Sequence, residues 1–154
     1  MNNPFKNTMN NTDHCIDVCN KLLRGERSAV ETYDQAIGKH GDKPVMDELR
    51  VLRQDHAEAI RILEDNVRSM GGSPDQEAGA WGAFANTVQA AANLMGPNSA
   101  LEALQKGEQA GKRDYENALK DDEVMPECKN LFNSRLLPTT MEHISTLERL
   151  QAVA

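Results

Sequence analysis

The chain has 154 residues, 39% of them apolar, with one Trp, two Tyr and three Phe, and a formal net charge of −7. That length suits one domain with a full core, and a mix led by Ala, Leu, Met, Glu, Lys, Arg and Gln favours helix. The absence of a basic patch with interleaved aromatics argues against nucleic acid as a partner, and no apolar run approaches the ~20 residues of a bilayer span.

The N-terminus, MNNPFKNTMNNTD, has one Lys and no apolar core, so it is not a secretory signal. Residues 1–12 are expected as a disordered tail ahead of a single domain over 13–154. Cys15, Cys19 and Cys128 are odd in number and lack zinc-knuckle spacing, so they read as reduced, buried residues of a cytoplasmic protein.

Helix 1 is expected from a cap at Thr12 or Asp13 to about Lys39, where HGDKP (40–44) breaks it. Pro44 suits the first position of helix 2, which continues to about Met70 and stops at GGSPD (71–75). A Gly- and Ala-rich stretch, AGAWGAFANTVQAAANLM (78–95), is plausible as a short extra helix. GPNS (96–99) ends it, and helix 3 follows from Asn98 or Ser99 to about Lys120. KDDEVMPE (120–127) is a turn, and helix 4 runs from about Pro126 to the C-terminus, with a kink expected at Pro138. The expected fold is all-α: an up-down pair, a long crossover and a second up-down pair, a four-helix bundle with one long connection.

Each helix carries an apolar stripe at 3–4 spacing, and each stripe is interrupted near its middle by one ionisable residue. Glu26 lies between Cys19 and Tyr33; His56 between Leu52 and Ala59; Glu108 between Leu104 and Tyr115; His143 between Leu136 and Leu147. The stretch RGERSAVETYDQAI (24–37) aligns without gaps to KGEQAGKRDYENAL (106–119), sharing Gly-Glu, a Tyr seven residues after the Glu, and an Ala three later. The two hairpins therefore read as an internal repeat. Under that two-fold relation Glu26, His56, Glu108 and His143 meet at the bundle centre.

Buried separately, four ionisable groups would cost several kcal/mol each. Together they balance, either as two carboxylates with two protonated imidazoles or as two carboxylates and two neutral imidazoles around one divalent cation. The four residues are therefore the candidate metal ligands, for one Fe²⁺, Zn²⁺ or Mn²⁺, with no cofactor required by the sequence.

The segments LLRGERSAVETYDQAI, LRQDHAEAIRIL, GAWGAFA, KGEQAGKRDYENAL and LLPTTMEHISTLERL together resemble a bacterial ferritin-like family of unknown function, over about residues 13–151. The resemblance implies a bundle related in architecture to ferritins and rubrerythrins, and it implies no established activity. Di-iron members of the wider class carry a lone Glu on two helices and Glu-x-x-His on the other two. Glu26 and Glu108 match the lone positions, and His56 and His143 match the histidines. Arg53 and Thr140 stand where the bridging glutamates belong, so the pattern is a poor di-iron site. In a metal-free cluster, Arg53 would pair with Glu26 and Glu108. Asp55 and Glu142, a 100° step round their helices, are expected to face elsewhere.

Tyr33 and Tyr115 read first as hydroxyl-capped core residues, with hydrogen bonds to the cluster as the alternative. His14 beside Cys15 and Cys19 offers a minor metal or redox site, His40 a surface residue, and Trp81 and Phe84 a cover for the bundle. Three functions remain: a non-enzymatic bundle, stress-associated and self-associating as a homo-oligomer; a mononuclear metal protein; or a di-iron oxidase, which the missing carboxylates disfavour. No phosphate loop or catalytic triad is present, and the balance is against an enzyme.

Overall fold

The computed structural model describes residues 4–39, 42–78 and 97–153. Helix α1 spans Pro4–Lys39, α2 Lys43–Ser69 and α3 Pro97–Lys120. The fourth run is made of α4 (Pro126–Leu131), a π-helical turn (Phe132–Leu136) and α5 (Leu137–Ala152).

Side-chain contacts set the directions. Cys19, Glu26 and Asp34 of α1 meet Asn66, His56 and Arg53 of α2, so the two run antiparallel. Tyr115 and Glu108 of α3 meet Phe132 and His143 in the same sense. Tyr33 of α1 bonds Glu108 and Glu26 bonds Tyr115, so α1 and α3 are antiparallel as well. It follows that α2 and α3 point the same way, and that α2 ends and α3 begins at opposite ends of the bundle. A tight turn cannot make that connection; a long crossover can.

Two apolar clusters result. One gathers Cys15, Cys19, Leu23, Leu63, Val67, Cys128 and Phe132; the other gathers Tyr33, Leu49, Leu52, Leu101, Leu104 and Leu147. The Glu/His residues form the layer between them.

Helix α2 ends in a Schellman motif. Gly72 N–H bonds Val67 O and Gly71 N–H bonds Arg68 O, with Gly71 at φ 84°. Only glycine takes that left-handed position without strain. The chain beyond is clipped to α1: Asn20 bonds Ser73 O and the Asp75 N–H, Arg24 pairs with the Asp75 carboxylate and Arg27 donates to Asp75 O.

Some expectations are corrected. Helix α1 begins at Pro4, ahead of the cap expected at Thr12 or Asp13. Pro4 has no N–H to leave unpaired in a first turn, no breaker follows it, and extending an existing helix is cheap. Where Pro138 predicts a kink, the structure has the π-helical turn, with the Leu137 N–H reaching back to Phe132 O. The proline lacks an N–H and crowds the carbonyl one turn back, and a widened turn accommodates it. Cys128, Phe132, Leu136 and Thr140 are buried at intervals of four for the same reason. The segment expected to carry the extra helix, with Trp81 and Phe84, lies outside the described residues, as does His40. Among the described residues no helix is long and apolar enough to cross a membrane.

Candidate functional site

The four interrupting residues meet. Glu26 on α1, His56 on α2, Glu108 on α3 and His143 on α5 are all buried, Glu108 to 1% exposure. His56 stands between the two carboxylates: Nδ1 lies 2.5 Å from Glu26 Oε2 and Nε2 lies 2.6 Å from Glu108 Oε1. His143 Nδ1 lies 3.1 Å from the same Glu108 oxygen, and the two imidazole rings are 4.7 Å apart at their centroids.

The tyrosines belong to this layer, in a crossed arrangement. Tyr33, on the helix of Glu26, donates to Glu108 Oε1 at 2.6 Å; Tyr115, on the helix of Glu108, donates to Glu26 Oε1 at 2.7 Å. Each tyrosine thus ties its own helix to the glutamate of the other.

Two further expectations change. Asp55 does not face away: its Oδ2 lies 2.9 Å from His143 Nε2, although its side chain is 43% exposed. The 100° step that takes Asp55 off the bundle axis aims it at α5, where the outer nitrogen of His143 waits. Arg53 is not part of the cluster; it pairs with Asp34 of α1 at 2.5 Å on the bundle surface. Thr140, the other residue three before a histidine, is buried and donates to Leu136 O at 3.1 Å.

Glu108 is bound unevenly. Its Oε1 receives Tyr33, His56 and His143, while its Oε2 is buried and makes no hydrogen bond with any described residue. A buried carboxylate oxygen without a donor is costly. The ligand atoms of His56, Glu108 and His143 lie close enough to share one metal ion, and Glu26 meets the far side of the His56 ring. Each histidine therefore turns one nitrogen inward to Glu108 and the other outward to a second carboxylate, Glu26 for His56 and Asp55 for His143.

The charges reinforce this. Burial works to lower the pKa of His56, but attraction from Glu108 and Glu26 and their hydrogen bonds hold it well above the usual 6.5. Burial works to raise the pKa of Glu108, but the charge of His56 and the hydrogen bonds of both histidines pull it well below the usual carboxylate range. Burial, then the neighbouring Glu108 for Tyr33 and Glu26 for Tyr115, pushes both phenols up, so they stay protonated donors.

A cleft of about 180 Å³ reaches the layer from the side of α2 and α5, lined by Glu26, Asp55, His56, Arg135, Thr140 and His143 among others. Asp55 is the site residue that helical periodicity missed. Its position, one residue before a stripe histidine, lets it reach α5, whereas Glu142, equally placed before His143, is exposed.

No curated protein matches the chain. Among solved structures, a crystal structure of ferritin-like, diiron-carboxylate proteins from Bacillus anthracis str. Ames aligns with a TM-score of 0.74, covering 92% of this chain and 97% of that one at 16% identity. At that identity the likeness is one of fold, and it shows this bundle to be ferritin-like. Residues 14–121 match the family described as a domain of unknown function, DUF2383, and since that span is well over half of the sequence, the chain belongs to this family.

Proposed function

We propose that the bundle centre holds one divalent metal ion, with the inner nitrogens of His56 and His143 and the carboxylate of Glu108 as ligands. Glu26 and Asp55 orient the histidines through their outer nitrogens. The observation that carries this reading is the convergence of His56 Nε2 and His143 Nδ1 on Glu108 Oε1, at 2.6 and 3.1 Å, beside an unpartnered Oε2. Ligand atoms sharing an ion at about 2.0–2.1 Å sit roughly 2.9–3.4 Å from one another. A carboxylate on the outer nitrogen fixes the tautomer and the ring plane of a ligating histidine.

The charge also closes. Two buried glutamates and one divalent cation sum to zero with both imidazoles neutral. The His/carboxylate donor set suits Fe²⁺, Zn²⁺ or Mn²⁺. Three protein ligands would leave coordination positions unfilled, which is the donor count of a reactive centre rather than a closed structural one.

The similar crystal structure is of a diiron-carboxylate protein. One ion fits this chain better than two. Arg53 and Thr140 replace the bridging carboxylates, and Asp55 is engaged on the outer nitrogen of His143. The crossed tyrosine bonds support reading the two hairpins as copies of one unit, and three unpaired cysteines suit a cytoplasmic protein.

The test is metal content by mass spectrometry of tag-free protein purified without chelator, beside His56→Ala, His143→Ala. About one metal per chain, lost in the double variant, is expected. No metal in the wild type after incubation with Fe²⁺, Zn²⁺ and Mn²⁺ overturns the reading. The layer would then be an ion-pair network with the His56 imidazolium between two carboxylates.

A further inference from the structure

Sulfur gathers at one end of the bundle. Cys15 and Cys19 sit one turn apart on α1, Cys128 lies in the first turn of α4, and Met70 follows the last residue of α2. The three cysteines are buried and unpaired. Cys15 is tied to the backbone of the α3–α4 connection: its sulfur accepts the Met125 N–H at 3.1 Å and its thiol faces Glu123 O at 3.9 Å. Cys19 and Cys128 share Asn66 as a neighbour, and Cys128 also approaches Met70. Cys128 Sγ lies 3.8 Å from Met70 Sδ, and Asn66 Nδ2 lies 3.3 Å from Cys19 Sγ and 3.6 Å from Cys128 Sγ.

We propose that Cys19, Cys128 and Met70 form a binding site for a soft monovalent cation of the Cu⁺ type, separate from the central layer. Thiolate and thioether donors select such an ion over harder divalent metals. Metal–sulfur bonds of about 2.3 Å place two sulfur ligands roughly 3.8–4.0 Å apart, and the Cys128–Met70 separation already has that value.

Cysteines that only fill a core behave as small hydrophobes and need no polar neighbour. Here a half-buried asparagine directs its amide at two of the sulfurs. A site with two thiolates and one Cu⁺ carries a net negative charge, and the Asn66 donors are placed to stabilise it. Cys128 is prepared for the role: hydrogen bonds from Cys19, and to a lesser degree from Asn66 and Cys15, overcome burial and hold its thiol down to about 6. Cys19 is pushed up, first by its hydrogen bond to Cys128 and then by burial. Cu⁺ then binds both cysteine sulfurs as thiolates and the Met70 thioether, and each thiol still protonated gives its proton to solvent as the metal–sulfur bond forms. Cys128 precedes His143 by 15 residues, roughly 20 Å of helix, so the two sites do not share ligands.

The experiment is an anaerobic titration of the reduced full chain with Cu⁺ against bicinchoninate as a coloured competitor, with copper-edge X-ray absorption on the loaded protein. One Cu⁺ per chain with sulfur-only ligands is expected. Cys128→Ser should weaken binding by more than the roughly 10–100-fold that an outer-shell change costs. Met70→Leu, close in volume, should weaken it measurably while the fold is kept, and it carries the test if Cys128→Ser does not fold. Nitrogen ligands in the absorption spectrum, or wild-type affinity in Met70→Leu, would each overturn the proposal.

Discussion

His56 and Glu108 hold opposite ends of the same electrostatic problem, and their shifts give the metal-free protein a defined pH window. His56 is raised above 6.5, so its contribution is complete below 6.5 and is lost as pH rises through its higher folded value. Glu108 is lowered below 4.5, so its contribution is complete above 4.5 and is lost as pH falls through its folded value. Both contributions are complete between pH 4.5 and 6.5. The melting temperature of chelator-treated protein should peak in that window and fall on the alkaline side. His56→Gln should remove the alkaline fall, and an unchanged profile in that variant would assign the fall to another group. At this scale Arg53 is instructive as well. It shares a helix with His56 three residues away, yet it lies beside the Leu52–His56 stripe and finds Asp34 on α1 instead of the buried glutamates.

At the scale of the element, the end of α2 governs two things: the start of the crossover and the position of Met70. Gly71 occupies the left-handed position of the Schellman motif, and a Cβ there meets no neighbour, so the cost of a side chain is purely conformational. Gly71→Ala should therefore destabilise by about 1–2 kcal/mol in urea unfolding without changing the slope of the transition. Gly72 is different. A Cβ there would come within 2.8 Å of the Ile16 side chain, so its glycine answers to a close approach of α1 rather than to its backbone angles. The π-helical turn before Pro138 is the other element-scale device. By widening one turn it keeps Phe132, Leu136 and Thr140 on the buried face and brings His143 level with Glu108.

Across the whole molecule, the polar layer divides the core into two apolar clusters and pins the register of four helices. Sliding any helix by one turn would push a carboxylate or an imidazole into a cluster with no partner, at a cost of several kcal/mol. A ligand that binds only the folded state stabilises it, by about 2.7 kcal/mol at a hundred times its dissociation constant. The proposed central ion makes this a test: adding Fe²⁺, Zn²⁺ or Mn²⁺ to chelator-treated protein should raise the melting temperature in step with metal concentration. It should leave His56→Ala, His143→Ala unmoved, as calorimetry would show. A rise of equal size in the double variant would place the ion elsewhere.

The helices, their stripes and the single ionisable residue in each stripe could be read along the chain, because 3.6-residue periodicity is a local property and a carboxylate on an apolar face is visible without coordinates. Glu26, His56, Glu108 and His143 were therefore legible as one group, and the DUF2383 assignment agrees with the resemblance those segments carried. The partners of each atom were not legible. That Tyr33 serves Glu108 and Tyr115 serves Glu26, that Asp55 closes the outer side of His143, and that Arg53 stays outside all depend on which helix faces which. So do the approach of Cys128 to Met70 and the placing of Asn66 between Cys19 and Cys128, which join α1, α4 and the end of α2. Periodicity specifies the face of a helix, whereas the partner across the interface is chosen by packing among residues far apart in the chain.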